Sequence, residues 1–220
     1  GQSIISWTGT GSAGTIAHGL SAVPRMIIVK NRDQNDSWYV YHVANGNTHS
    51  ILLDTNGAKV GAYTDNWNNT TPTSSVFSVG GAHATSGASN EKMISYCFAD
   101  VKGYSRISSY VGNADTDGPF VYCGFRPAWF LVKNTAASEH WRIYDNKRNT
   151  FNHMFRLLNP NVNSAESTVD NGSEEIDFLS NGVKIRSSAQ QLNGSGHTLI
   201  YMAFAESPFV NSNGVPNNAR

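Results

Sequence analysis

Residues 7–98 of this chain are echoed by residues 110–204, with turns and apolar runs in the same order. P-R-M-I-I-V-K-N at 24–31 is answered by P-A-W-F-L-V-K-N at 127–134. Pro24 and Pro127, Lys30 and Lys133, Trp38 and Trp141, and Tyr41 and Tyr144 each stand 103 residues apart. By Cys97 and Ala203, and Phe98 and Phe204, the spacing has grown to 106, so three residues enter the second copy between these points. Loops accept such insertions at small cost. A chain of 220 residues written this way is expected to form two modules of about 100 residues, each long enough for its own core. The expected division is 1–103, 104–209 and a C-terminal tail, 210–220, too polar to fold alone and either loose or held by a neighbouring chain.

Each copy reads as strands. Met26, Ile27, Ile28 and Val29 form a short apolar run, the polar K-N-R-D-Q-N-D follows, and Trp38, Tyr39, Val40 and Tyr41 supply an aromatic and β-branched run. The second copy repeats this with Trp129 to Val132 and Trp141 to Tyr144. Alternation places Tyr39 and Tyr41 on one face, matched by Arg142 and Tyr144, and the arginine marks that face as the wetter one. Trp38, Trp129 and Trp141 are expected in the cores. Val76, Phe77 and Val79 are matched by Val183, Lys184 and Ile185, and 93–99 and 199–205 close the copies. The best candidate for a helical turn is 149–158. Short strands between Gly, Asn and Ser turns give an all-β expectation of two tandem antiparallel β-sandwich modules, jelly-roll-like in character.

Composition narrows the function classes. Lys plus Arg and Asp plus Glu number 16 each, with no basic block, which argues against nucleic acid as a partner. The apolar runs fall far short of the roughly 20 residues of a membrane-spanning helix. The start without methionine suggests a piece of a longer polypeptide. Cys97 and Cys123 align with apolar Ala203 and Leu20, so both read as buried free thiols, with a Cys97–Cys123 bridge as the alternative. Charged residues make up only 15%, a neutral polar surface suited to an assembled or extracellular particle.

No histidine spacing matches a metal motif, and neither a nucleophile elbow nor a phosphate loop is present. Asp33 with Asp36, and D-T-D-G at 115–118, offer oxygens for calcium, but aspartate and glycine are also ordinary turn residues. Glu166, Asp170, Glu174, Glu175 and Asp177 share one polar segment and read as a solvated acidic loop, not a glycosidase pair. Asn-x-Ser/Thr triplets at Asn35, Asn68, Asn69, Asn171 and Asn193 are expected by chance in this composition. Neither catalytic residues, a metal site nor a cofactor is expected.

One aromatic stands apart. Trp67 lies in A-Y-T-D-N-W-N-N-T-T, amid polar residues. With Tyr63, Asp65, Asn66 and Asn68 it forms a candidate carbohydrate platform: a ring for a sugar face and short polar groups for hydroxyls. The alternatives are a loop tryptophan plugging the end of its own sandwich, or an anchor between subunits.

P-R-M-I-I-V-K-N with W-Y-V-Y-H, then Y-C-F-A-D-V-K-G-Y-S, G-F-R-P-A-W-F-L-V-K-N and Y-M-A-F-A-E-S-P-F together resemble a duplicated β-rich C-terminal module of tail fibres and related virion surface proteins of aquatic bacteriophages. The resemblance runs from about residue 6 to 209. It implies a non-catalytic structural protein at the virion surface, a homo-trimer in contact with other virion proteins. Two roles follow as expectations: the host-recognition end of a tail fibre, binding bacterial surface polysaccharide through weak sites made strong by multivalency, or a capsid decoration or assembly module without receptor binding. The resemblance brings no ligand residues to place on Trp67 or its neighbours.

Overall fold

The computed structural model describes residues 1–61, 63–168, 170 and 172–208; the tail 210–220 and Asn171 lie outside them. The protein is all-β and divides into two compact units, the first Gly1–Asp54 with Lys59–Asp100, the second Thr55–Ala58 with the chain from Val101 on. This boundary falls three residues before the one expected, because Val101 bonds forward: its N–H donates to Ser105 O at 3.1 Å, and Ser105 N–H returns to Val101 O at 2.9 Å.

In the first unit, β1 (Gln2–Thr8), β8 (Lys92–Phe98), β3 (Met26–Asn31), β4 (Tyr39–His42), β5 (His49–Leu52) and β6 (Val60–Gly61) make one antiparallel sheet in the order β1-β8-β3-β4-β5-β6. β2 (Gly14–Ala17) pairs with β7 (Val76–Val79) in a second sheet. Ile27, Val29, Tyr41, Phe77, Val79, Met93 and Cys97 pack together as the core. In the second unit, β9 (Ser105–Val111), β15 (Thr198–Ala205), β11 (Pro127–Asn134) and β12 (Arg142–Asp145) are ordered β9-β15-β11-β12. β10 (Phe120–Tyr122), β14 (Gly182–Ile185) and β13 (Ile176–Leu179) form its smaller sheet, and Phe130, Val132, Tyr144, Phe178, Val183 and Tyr201 lie in its core.

The two units share a strand order, β1-β8-β3-β4 against β9-β15-β11-β12 and β2-β7 against β10-β14. They also share a register. Met26 faces Phe98 and Trp129 faces Phe204; Ile27 faces Cys97 and Phe130 faces Ala203. These are the spacings of 103 and 106 read from the sequence, now seen as ladder partners. The units diverge after the matched tyrosines. There the first adds β5 and β6 to its large sheet, whereas the second adds β13 to its small one, so the difference is a change of strand partners and not only a longer loop.

The repeated Lys-Asn closes the turn after the strand in both units. Lys30 Nζ donates to Gln34 O at 3.0 Å and to Asp36 O, while Asn31 Oδ1 accepts from Asp33 N–H at 3.1 Å. Lys133 Nζ donates to the carbonyls of Asn134 at 2.7 Å, Ala137 at 3.2 Å and Asn56 at 3.2 Å, and Asn134 Oδ1 accepts from Ala136 N–H at 2.9 Å. Each asparagine makes an Asx turn, and each lysine satisfies carbonyls that the turn leaves without strand partners.

Three expectations are corrected. The face carrying Tyr41, Arg142 and Tyr144 is buried, because Arg142 is neutralised by Glu174 and donates to His140 O at 2.7 Å, which lets a cation sit beneath the sheet. Trp141 is buried as expected, but Trp38 and Trp129 are half-buried, packed on Tyr96 and Phe204 with ring centroids 6.3 and 5.6 Å apart. Residues 149–158 form no helical turn; Met154 bridges Ile176, Leu157 bridges Ser167 and Leu158 bridges Ile143. Bridges to other segments of the same chain supply the backbone partners that a helix would otherwise provide.

Cys97 and Cys123 are free and buried. Burial pushes their thiols up to about 11 and about 12, and only the thiolate reacts. A colourless-to-coloured disulfide reagent at pH 8 is therefore expected to leave both unmodified in the native protein and to titrate both after denaturation. Rapid labelling of the folded protein at either site would contradict this packing.

Candidate functional site

A polar loop becomes a site in the first unit because one turn of helix drives its tryptophan inward. α1 (Thr64–Trp67) is ended by Asn68 and Asn69, with φ of 49° and 44°, in the left-handed region that asparagine tolerates. Gly80, just after β7, allows the turn to approach. A Cβ there would lie 1.9 Å from Asp65 O, and its N–H donates to Asn66 O at 3.3 Å. Trp67 is consequently only 1% exposed. Its ring meets Tyr41 edge-on at a centroid distance of 5.7 Å, and its Nε1–H donates to Ser50 Oγ at 2.9 Å and His49 O at 3.2 Å. Asn66 is also buried and donates through Nδ2 to Ser50 Oγ at 2.9 Å.

Trp67 therefore plugs its own module, and its ring face is closed to a sugar. Of the three roles weighed for it, this is the loop tryptophan that plugs the end of its own sandwich. Tyr63, Asp65 and Asn68 remain exposed, Tyr63 at 54%. Tyr63 and Asn66 line a pocket of about 480 Å³, together with Asp36, Tyr39, Ser50 and His83 and an apolar contribution from Leu52 and Val60. Asp65, Asn68 and Trp67 do not line it.

His83 is the pocket residue that the sequence did not reveal. It opens α2 (His83–Ser86), where Gly87 N–H bonds to His83 O at 2.9 Å. Its Nδ1 lies 3.1 Å from Asp36 Oδ2 and its Nε2 2.9 Å from Glu91 Oε2. Glu91 also accepts from Asn31 Nδ2 at 2.7 Å, Ala88 N–H at 2.8 Å and Gln34 Nε2 at 2.6 Å, bonds that hold its carboxyl down at about 2, the Asn31 bond first among them. Asp36 Oδ2 is engaged by His83, and Oδ1 has no partner among the described residues. The Tyr39 hydroxyl is pushed up, mainly by burial and then by the charge of Asp36. The arrangement is an aromatic and acidic cleft braced by a histidine between two carboxylates. At the position matching Tyr39, the second unit has Arg142, buried against Glu174.

The acidic residues considered for calcium or for hydrolysis are engaged. Asp33 Oδ2 accepts from Lys92 N–H at 2.7 Å; Asp115 Oδ1 accepts from Asp117 N–H at 2.8 Å, and Asp117 pairs with Lys184 at 2.6 Å. The Asp115 bond is that of an ordinary turn, and the other two tie their loops to residues remote in the chain. Glu166 pairs with Arg148, Glu174 with Arg142 and Asp177 with Arg186, so the acidic segment is a set of ion pairs with Glu175 and Asp177 buried, not a solvated loop. His153, Asp170 and Glu175 form the group of metal-ligating type among the described residues, their ligand atoms within 4.8 Å of one another. His153 Nε2 lies 3.0 Å from Asp170 Oδ1, a bond that raises the imidazole, and Glu175 Oε1 accepts the Gly172 N–H at 2.5 Å. These bonds account for the three groups without a metal.

A family model described as a domain of unknown function (DUF7483) matches residues 1–208. The chain belongs to that family. No curated protein and no solved structure matches it. The family match covers both units, and its description assigns no ligand or activity to the pocket.

Proposed function

We propose that this protein is a non-catalytic structural component of a bacteriophage virion, at the host-recognition end of a tail fibre, and that the first unit binds bacterial surface glycan. The observation that carries the glycan reading is the pocket, where Tyr39 and Tyr63 stand beside Asp36, Ser50, Asn66 and His83. Aromatic rings cover sugar faces, and short polar groups direct hydroxyls. The virion assignment rests on the resemblance of the repeated strings. A homo-trimer would present three copies of a shallow site, and linked weak sites gain avidity without new contacts.

The test is an array of bacterial surface polysaccharides probed with the native protein and with Tyr63→Ala. Tyr63 is exposed and has little part in packing, so its removal is expected to lower glycan retention at least tenfold while leaving the melting temperature within about 2 °C. An array with no retained glycan would sink the reading.

A second reading, an assembly or capsid-decoration module, is favoured by a separate observation. Among the described residues β10 pairs only with β14, and it carries exposed Phe120 and Tyr122, 44% and 63%. An open strand edge with outward aromatics is suited to a partner chain.

A further inference from the structure

We propose that the first unit's pocket selects a sugar bearing a protonated amine over neutral and acidic sugars, with Asp36 as the group that makes the choice. This rests on the glycan reading of the same site and names the chemistry of its ligand. The argument rests on one unused acceptor beside basic groups that already have partners. Among the described residues, no lysine or arginine lines the pocket. Lys30, whose ammonium reaches the Asp36 turn, does not line the pocket and donates to the carbonyls of Gln34 and Asp36. His83 is held on both ring nitrogens by Asp36 and Glu91, so neither nitrogen is left to receive an anion. Asp36 Oδ1, in contrast, keeps an acceptor without a partner, and its side chain is 29% exposed.

The surroundings extend the same field. Tyr39 is half-buried, and the charges of Asp36 and Asp54 act on its hydroxyl in the same direction as burial, as expected of a locally negative pocket. A carboxylate or sulfate on a sugar entering here would face the unpartnered oxygen of Asp36, with His83 and Lys30 already bonded to carboxylates and carbonyls, and this like-charge contact costs affinity. An ammonium would meet the free carboxylate oxygen, and its positive charge also suits the faces of the two tyrosines. A neutral acetamido sugar would keep the stacking and lose the ion pair.

Three oligosaccharides of equal length serve as probes, β-linked glucosamine, its fully N-acetylated form and oligogalacturonate, titrated calorimetrically at mildly acidic pH where the amine is protonated. The glucosamine oligomer is expected to bind at least tenfold more tightly than the acetylated one, and oligogalacturonate not to bind. Asp36→Asn, which keeps the shape and an acceptor for His83, is expected to bring the first two to parity, whereas Tyr63→Ala weakens both. Because Asp36→Asn disturbs a group bonded to His83, the salt dependence of the unaltered protein is a second measurement. Affinity for the glucosamine oligomer is expected to fall with ionic strength and that for the acetylated oligomer to stay level. Parity of these two in the unaltered protein, tighter oligogalacturonate, or array binding of a neutral glycan with no binding of the glucosamine oligomer would each overturn amine selection and leave glycan binding standing. Silence of both the array and all three probes would overturn both.

Discussion

Replacing Trp67 with alanine is expected to destabilise the first unit by about 3–5 kcal/mol, the range found when a large aromatic is removed from a packed core. The ring is 1% exposed, packs edge-on against Tyr41 and lies in the core with Phe77 and Met93. Its indole N–H is a second component. Ser50 Oγ and His49 O both receive it, and each loses a donor in the variant. Trp67→Phe keeps a smaller aromatic, loses the N–H and only part of the packing, and should cost less than the alanine variant, about 1–3 kcal/mol. Urea denaturation, read with amide exchange of β3 and β8, checks both. A loss below about 1 kcal/mol for Trp67→Ala would mean that the ring is not the plug described. The consequence for function is direct. A glycan-binding defect in Trp67→Ala would report a collapsed α1, carrying Tyr63 and Asn66 with it, and not a lost contact with sugar. Tyr63 is the position at which binding and folding separate.

The parts of the fold legible in the sequence were those fixed by local pattern and constant spacing. Lys30, Lys133 and the tyrosines at 41 and 144 keep one spacing because they occupy the same ladder positions in two sheets of the same order. The thiols were legible because their repeat partners, Ala203 and Leu20, are apolar. What was not legible depends on partners remote in the chain. Trp67 stands among polar residues, and its burial follows from the missing side chain of Gly80 and from Ser50, neither of which marks it locally. The signal that could have found it is the Asn68-Asn69 pair, suited to ending a single helical turn by left-handed residues. His83 joins Asp36, 47 residues earlier, to Glu91, so no spacing motif could announce it. Arg142 looked like a solvent marker because Glu174, which permits its burial, lies 32 residues on. Of the four residues first grouped with Trp67, the structure brings Tyr63 and Asn66 to the pocket.

Lys133→Met is expected to cost about 2–4 kcal/mol at neutral pH, and Lys30→Met about 1 kcal/mol or less, although the two lysines occupy matching positions. The difference lies in water. Lys133 is fully buried, so the carbonyls of Asn56, Asn134 and Ala137 would be left without a donor; Lys30 is half-buried, and water can replace it at Gln34 and Asp36. Methionine keeps most of the volume, which confines the loss to hydrogen bonds and charge. The buried ammonium carries its own cost, since burial draws its pKa from 10.5 down to about 8. Between those values the unfolded chain binds more protons at this site than the folded one, so the contribution of Lys133 to stability increases as pH rises from 8 to 10.5. The buried tyrosines and cysteines act oppositely in that range, losing protons more readily when unfolded, but they are common to both proteins and cancel in the comparison. The stability of the unaltered protein minus that of Lys133→Met, measured by urea denaturation at pH 7.5 and pH 10, should therefore widen at the higher pH. A gap that narrows would mean that the three carbonyls favour the charged amine by more than burial opposes it, and would reverse the sign assigned here.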